Sequence, residues 1–281
     1  MLDTRLIDLH THTNQSDGSH SPESLVELAA RRHLAGVGIT DHDEVGGIAR
    51  AMVRGDQIGV EVIPGVELSA CHAGYDVHIL GYFVNYFDPI FLAFLSYLKE
   101  ERVTRTYRIV EKLCDLGLPV QFEAVQRQAG DGCIGRPHVA EVLVQAGHVL
   151  TFQDAFNYYL AEGKPAFVPK VQLTPREAID AIHRAGGAAV LAHPGQNLSL
   201  QVVLDVIRSG VEGIEIIHPK HTWTQKNTFQ KYAAEYGLVQ TGGSDFHGGR
   251  RGEEKFGQFT VTIEHVQRLK ECVERRRREW L

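Results

Sequence analysis

The sequence predicts an α/β fold built on a parallel sheet, open or closed into a barrel. Three observations lead there. Short apolar or β-branched runs alternate with helical periods along most of the 281 residues, as strand–helix units do. The helical segments carry their own start and stop residues. Polar clusters fall where the strands end, the edge at which such folds place their sites.

Taken in order, "RLIDLHTHT" is a strand that brings His10 and His12, two apart, to one face. "SPESLVELAARRHLAG" follows as a helix, with Ser21 as N-cap, Pro22 at the first helical position and Gly36 as the stop. "VGITDHD" is a strand with a polar end, "IARAMVRGDQIG" a helix, and "VEVIPGVELSA" and the alternating "YDVHILGYFV" are strands. After Pro89 the rhythm breaks. "PIFLAFLSYLKEERVTRTYRIVEKLCDLG" is one long helical stretch, and helical pattern continues through "RPHVAEVLVQAG" and "TFQDAFNYYLAEG". Residues 90–165 therefore read as a helical insert between two parts of an α/β domain, 1–89 and 166–281. Alternation then returns: "TPREAIDAIHRAGG" helix, "AAVLAHP" strand, "LQVVLDVIRSG" helix, "VEGIEIIHP" strand, "WTQKNTFQKYAAEYG" helix and "LVQTGGSDFHG" strand. Arg102, Arg105 and Arg108 stand at helical spacing, as a basic stripe or a solvated face. "ERRRREW" reads as an exposed helix end, where arginines favour the negative pole of the dipole.

Composition is that of a soluble globular protein, 43% hydrophobic and 23% charged. A net charge of −6 gives no overall field for nucleic acid, so local cations or metal ions must meet any anionic substrate. Cys71, Cys114, Cys133 and Cys272 form no CxxC pair, which argues against a thiolate zinc site or a disulfide framework. The chain has no basic-then-apolar leader and no apolar run of about 18 residues. A cytoplasmic protein is expected, with no membrane association and no obligate protein partner.

The strand ends carry the chemistry. They bear His10 and His12, then Asp41, His42 and Asp43, then Glu67, His193, His218, Asp245 and His247, while His78 sits within its strand. A lone histidine after an apolar run is usually a hydrogen-bonded core or edge residue. Imidazoles and carboxylates delivered to one rim by so many separate segments instead imply a metal cluster. Nitrogen and oxygen donors without sulfur suit Zn²⁺, Mn²⁺ or Fe²⁺. The donors outnumber the needs of one ion, so two or three ions sharing a bridging carboxylate fit better.

"DLHTHTNQSDG", "GITDHD", "PGVELSA", "HILGY", "LAHPG" and "GGSDFHG" resemble, in order, the successive motifs of the PHP (polymerase and histidinol phosphatase) family. The resemblance spans Asp8 to Gly248. It implies a distorted (β/α)7 barrel of the PHP type with a small helical insertion domain acting as a substrate-binding lid, and two or three divalent ions, Mn²⁺ first and Zn²⁺ or Fe²⁺ as alternatives. It also implies ligands. His10 and His12 would hold one ion with Glu67 and Asp245. Glu67 would bridge to a second held by His78 and His193, and Asp17, His42 and His247 would hold a third. All nine positions carry residues of the expected type, which argues against a degenerate copy. His20 departs from the pattern and reads as a loop residue. The insert segments "IGRPHVAEVLVQAG" and "FQDAFNYYLAEGKPAFVPK" resemble the nucleotide-directed branch, which includes nucleoside 3′,5′-bisphosphate phosphatases and RNase AM-type 5′→3′ exoribonucleases.

The resemblance thus implies a metal-dependent phosphoesterase that removes the 3′-phosphate of nucleoside 3′,5′-bisphosphates and trims short 5′-phosphorylated oligonucleotides. A hydroxide bridging two ions would attack phosphorus. Glu67, Asp17 and His218 are the expected catalytic residues, His218 as proton donor to the leaving oxygen or as a hydrogen-bond donor to phosphate. Arg136, next to Pro137 at a helix start, would grip a terminal phosphate with His138, and Lys170 in "FVPK" a second phosphate. Three readings compete: a small-molecule phosphatase of the histidinol-phosphate type, a non-catalytic metal-binding regulatory module, and an amidohydrolase.

Overall fold

The computed structural model of the chain describes residues 5–130, 132–169, 173–248 and 255–279. Two compact units partition the chain: Met1–Leu92 with Gln172–Leu281, and Ala93–Val171. In chain order the elements are β1 (Leu6–Thr11), α1 (Pro22–Arg31), β2 (Gly36–Ile39), α2 (Ile48–Ile58), β3 (Glu61–His72), β4 (Tyr75–Tyr82) and α3 (Pro89–Asp115). Then come α4 (Phe122–Ala129), α5 (Arg136–Gln145), α6 (Phe152–Ala155) and a π-helical turn (Phe156–Leu160). The chain continues with α7 (Pro175–Arg184), β5 (Ala188–Leu191), α8 (Leu200–Arg208), β6 (Gly213–Ile217) and α9 (Trp223–Tyr236). It closes with β7 (Val239–Gly242), β8 (Val261–Thr262) and α10 (Ile263–Glu279).

One eight-stranded sheet runs in the order β7-β6-β5-β4-β3-β2-β1-β8. It curls until the end of β1 meets the stretch after β7: Thr11 bridges Phe246, and the His12 N–H donates to the Phe246 carbonyl at 2.8 Å. The result is the distorted α/β barrel implied by the motifs, with the two-residue β8 added antiparallel to the start of β1. A wholly parallel sheet does not form. β4 is antiparallel to both β3 and β5, because only Ala73 and Gly74 separate His72 from its partner Tyr75. Both turn residues have positive φ, 50° and 83°, as in a two-residue hairpin, and no crossover fits in so short a link.

The barrel core joins Ile7 and Leu9 of β1, Ile63 of β3, Leu80 and Tyr82 of β4 and Val190 of β5 with Val266, Leu269 and Val273 of α10. Ser21 caps α1, its side chain accepting from the Ser24 N–H. Gly36 is not the helix stop. The chain turns at His33, φ 57°, and Gly36 opens β2. The arginine run at the C-terminus is not uniformly exposed either. Arg278 is 79% exposed, but Arg276 is only 13% exposed, bonded to Glu212 and to the Gly187 carbonyl.

The helical unit has a core of its own: Ile109 and Leu113 of α3, Val125 of α4, Val139 and Leu143 of α5, with Ala155 and Leu160. Arg105 is buried here, its Nε donating to the Val168 carbonyl at 2.8 Å. The three arginines of α3 therefore do not share one exposed stripe.

Candidate metal centre

Strand geometry explains how the donors converge. Parallel strands present their carboxyl ends to one rim, which places His10 and His12 at the end of β1, His42 beyond β2, His193 beyond β5, and Asp245 and His247 beyond β7. β4 runs the opposite way, so its early residues meet the rim. That is why His78 stands inside a strand rather than after one.

Glu67 of β3 is the centre of the arrangement, with no exposure. Its Oε1 faces His78 Nδ1 at 2.8 Å and His193 Nε2 at 3.0 Å. Its Oε2 faces His10 Nε2 at 3.3 Å, His12 Nε2 at 3.2 Å and His42 Nδ1 at 3.0 Å. Asp245 Oδ1 lies 3.3 Å from His12 Nε2 and 3.6 Å from His10 Nε2. Asp17 Oδ1 lies 3.1 Å from His247 Nε2 and 4.0 Å from His42 Nε2. Among the described residues three donor groups thus gather within 4.8 Å: His10, His12, Glu67 and Asp245; His12, Asp17, His42 and His247; and His42, Glu67 and His78. The nine residues named from the sequence all lie in this one unit. His193 stands on Glu67 Oε1 without joining the third group, where His42 takes a place expected for it.

The donor set fits divalent cations. The buried atoms His10 Nε2, His12 Nε2, His42 Nδ1 and Glu67 Oε2 have no hydrogen-bond partner, although they crowd one another. Leaving a buried polar atom unsatisfied costs about 1–3 kcal/mol, and a cation among these lone pairs removes that cost. Asp17, Glu67 and Asp245 are the only carboxylates of the nine, too few to balance three dications.

Residues around the donors fix their orientation. Glu215, fully buried on β6, accepts from His10 Nδ1 at 3.2 Å and from the His193 N–H at 2.8 Å. This leaves His10 Nε2 as the donor atom. His247 Nδ1 donates to the Asp245 carbonyl at 2.8 Å, with the same effect on its Nε2. Asp41 accepts from the Thr13 N–H at 2.7 Å and from the Thr13 and Ser16 hydroxyls, each at 2.6 Å. It pins the turn that carries Asp17. Asp8 accepts from the N–H groups of Ser244 and Gly257 at 2.9 and 3.1 Å. Gly243 is required beside it, since a Cβ there would lie 2.3 Å from His10 Cβ. His193 and Asp245 both hold positive φ, 27° and 52°, strain that clusters at functional sites.

The charges are strongly coupled. Burial works to lower the His12 pKa, but the Asp245 and Glu67 carboxylates facing its Nε2 raise it to about 10. Burial is likewise outweighed at His10, which Glu215 and Glu67 hold well above the ordinary value. Burial pushes His42 well below that value, against the pull of Glu67. Glu67 and Asp245 stay well below the usual carboxylate range because the surrounding imidazoles overcome burial.

His218 lies fully buried beside this group, its Nε2 3.7 Å from Asp245 Oδ2. His20 stacks on Phe246 at 5.6 Å. Arg136 and His138 belong to the helical unit. Arg136 begins α5, donates to the Leu160 carbonyl at 3.3 Å and lies over the Phe156 and Phe167 rings. His138 Nδ1 accepts from the Gly135 N–H at 3.1 Å. Lys170 is outside the described residues. Glu215 and Asp8 escaped the sequence reading; the acid within the apolar run "GIEII" is the one signal in the sequence for Glu215, and it reads equally as a solvent-facing position.

The PHP domain matches residues 8–146. The 5′-3′ exoribonuclease Rnm of Escherichia coli is 35% identical over 249 residues, 86% of this chain and 85% of that protein. The chain belongs to the PHP family. The 3′,5′-nucleoside bisphosphate phosphatase of Chromobacterium violaceum is 33% identical over 257 residues, 89% of this PHP chain and 90% of that one. A solved structure from Bifidobacterium adolescentis, described as a metal-dependent phosphoesterase, superposes with a TM-score of 0.87 at 31% identity, covering 96% of each chain. The PHP chain is a metal-dependent phosphoester hydrolase, and its His, Asp and Glu groups are the residues that could hold the metal. No helix among the described residues is long and apolar enough to cross a membrane.

Proposed function

We propose that this enzyme removes the 3′-phosphate of nucleoside 3′,5′-bisphosphates and, at the same centre, trims short 5′-phosphorylated oligonucleotides from the 5′ end. The observation that carries the reading is the split around Glu67, with His78 and His193 on one oxygen and His10 and His12 on the other. That split supports a carboxylate shared between two ions. Similarity at nearly equal identity to a bisphosphate phosphatase and an exoribonuclease supports a common substrate end. Both reactions expel a nucleoside 3′-oxygen and differ only in whether the phosphate carries a second nucleoside.

In this reading His10, His12, Glu67 and Asp245 would hold one Mn²⁺, Glu67, His78 and His193 a second, and Asp17, His42 and His247 a third. Bound divalent ions acidify water for in-line attack and neutralise phosphate charge. The chain supplies the rest. Glu215 holds His10 through its Nδ1, which turns Nε2 toward the ion site. Three ligand carboxylates leave the loaded pocket positive, which draws in a phosphate dianion. His218 Nδ1 accepts from the Lys220 N–H at 3.2 Å, so a neutral ring carries its proton on Nε2 and can pass it to the departing 3′-oxygen. The 5′-phosphate is assigned to Arg136, His138 and Lys170, supported by the place of Arg136 at the start of α5 and by the match of its planar fork to phosphate.

The test is a substrate panel with Mn²⁺: adenosine 3′,5′-bisphosphate, AMP, histidinol phosphate and a short 5′-phosphorylated RNA. The bisphosphate and the RNA should be the good substrates; a bisphosphate turned over no faster than histidinol phosphate defeats the reading. Arg136→Ala should lower kcat/KM for 5′-phosphorylated substrates about 10–100-fold, the scale of one charge-assisted contact of ~1.5–3 kcal/mol.

A further inference from the structure

The loop between β6 and α9 is locked to the loop after β5. His221 Nδ1 donates to the Ile216 carbonyl at 2.9 Å, and its Nε2 accepts from the Gly195 N–H at 3.1 Å. Gln225 ties the same two loops, donating to the Gly195 carbonyl at 2.7 Å and accepting from the Thr222 N–H at 2.9 Å. Gly195 has no room for a side chain, since a Cβ would lie 2.7 Å from His221 Cδ2. Residues 218–221 are therefore a fixed bracket.

That bracket aims two donors at one oxygen. His218 Nε2, buried and without a hydrogen-bond partner, stands 3.7 Å from Asp245 Oδ2. Lys220 Nζ, on a side chain 48% exposed, stands 3.8 Å from the same oxygen. Neither distance is a hydrogen bond. The other oxygen of Asp245 already faces His10 and His12, so Lys220 is not needed to hold that carboxylate in place. A flexible ammonium beside a metal-ligand carboxylate, next to a buried N–H with nothing to bind, is poised for a further anionic oxygen.

We propose that Lys220 is a substrate-binding residue: its ammonium, beside the N–H of His218, takes a non-bridging oxygen of the phosphate being cleaved. The proposal rests on the phosphoesterase reading of the metal centre but not on the choice of nucleotide. Its chemistry is that of any phosphate monoester or diester presented to the ions.

The experiment is titration of Mn²⁺-loaded protein with inorganic phosphate by calorimetry, wild type against Lys220→Met and Lys220→Arg, with Mn²⁺ content measured in each. Lys220→Met should weaken phosphate binding about tenfold or more at unchanged Mn²⁺ content, with Lys220→Arg recovering most of it, as expected for a lost charge-assisted contact. For adenosine 3′,5′-bisphosphate, KM should rise more than kcat falls. Equal phosphate affinity in wild type and Lys220→Met overturns the proposal. So does wild type that binds no phosphate, and so does a variant that loses Mn²⁺ while each loaded site keeps its affinity. If phosphate binding depends on Lys220 but the bisphosphate is not hydrolysed, the nucleotide reading falls and the lysine assignment stands.

Discussion

Glu215 stands on β6 with no exposure, and both its oxygens are committed, one to His10 and one to the His193 N–H. A buried carboxylate behind an imidazole fixes the ring, selects its tautomer and raises its basicity toward a cation. Glu215→Gln keeps the shape and removes the charge. It should weaken Mn²⁺ binding about 10–100-fold, the usual effect of losing such a partner. Calorimetric titration of metal-free protein measures this, and an unchanged affinity would reduce Glu215 to packing. Eight of the nine candidate ligands were legible because each follows or interrupts an apolar run, whereas Asp17, in the polar stretch after β1, came only from the family resemblance. Glu215 was not, because an acid in a short strand reads equally as a solvent-facing position. Only the curl of the sheet turns that position inward.

At the level of elements, most strands and helices were legible from caps, turns and periodicity, while the direction of β4 was not. The strand–helix rhythm argues for parallel pairing, yet the two-residue link at Ala73 and Gly74 overrides it. The end of α10 was misread for a related reason. Periodicity does not show which arginine of a run turns inward. Arg276 reaches Glu212 at the start of β6, and Glu212 also accepts from His183 at 3.1 Å and from the Ala189 N–H at 2.7 Å. Arg276→Met removes a charged donor from a largely buried acid and should cost about 1–3 kcal/mol of stability. A lower thermal midpoint with unchanged metal content is expected; an unchanged midpoint would show that His183 and Ala189 suffice.

For the whole molecule, the metal centre couples stability to pH. His12, raised to about 10, and His10, also raised, hold protons in the metal-free protein at neutral pH. Their folded values exceed the unfolded value of about 6.5. Their contribution to stability is therefore complete below that pH and is lost as pH rises toward about 10. Cations must displace those protons, so Mn²⁺ affinity should rise with pH, and binding should release protons, visible as a buffer-dependent heat. Between about pH 6.5 and 9 the melting point of metal-free protein should fall while that of loaded protein does not follow. A flat metal-free profile would contradict the assigned charges.

The direct pairing of β4 with β5, from Ile79 opposite Leu191 to Tyr82 opposite Ala188, has a longer-range meaning. The helical unit, Ala93–Val171, lies within the single connection from β4 to β5, and the ladder between those two strands is stitched without it. Lengthening such an excursion adds little entropy cost, about 0.6 kcal/mol per doubling. Descendants of this gene can therefore swap, shrink or enlarge the helical excursion while the paired strands keep their registration.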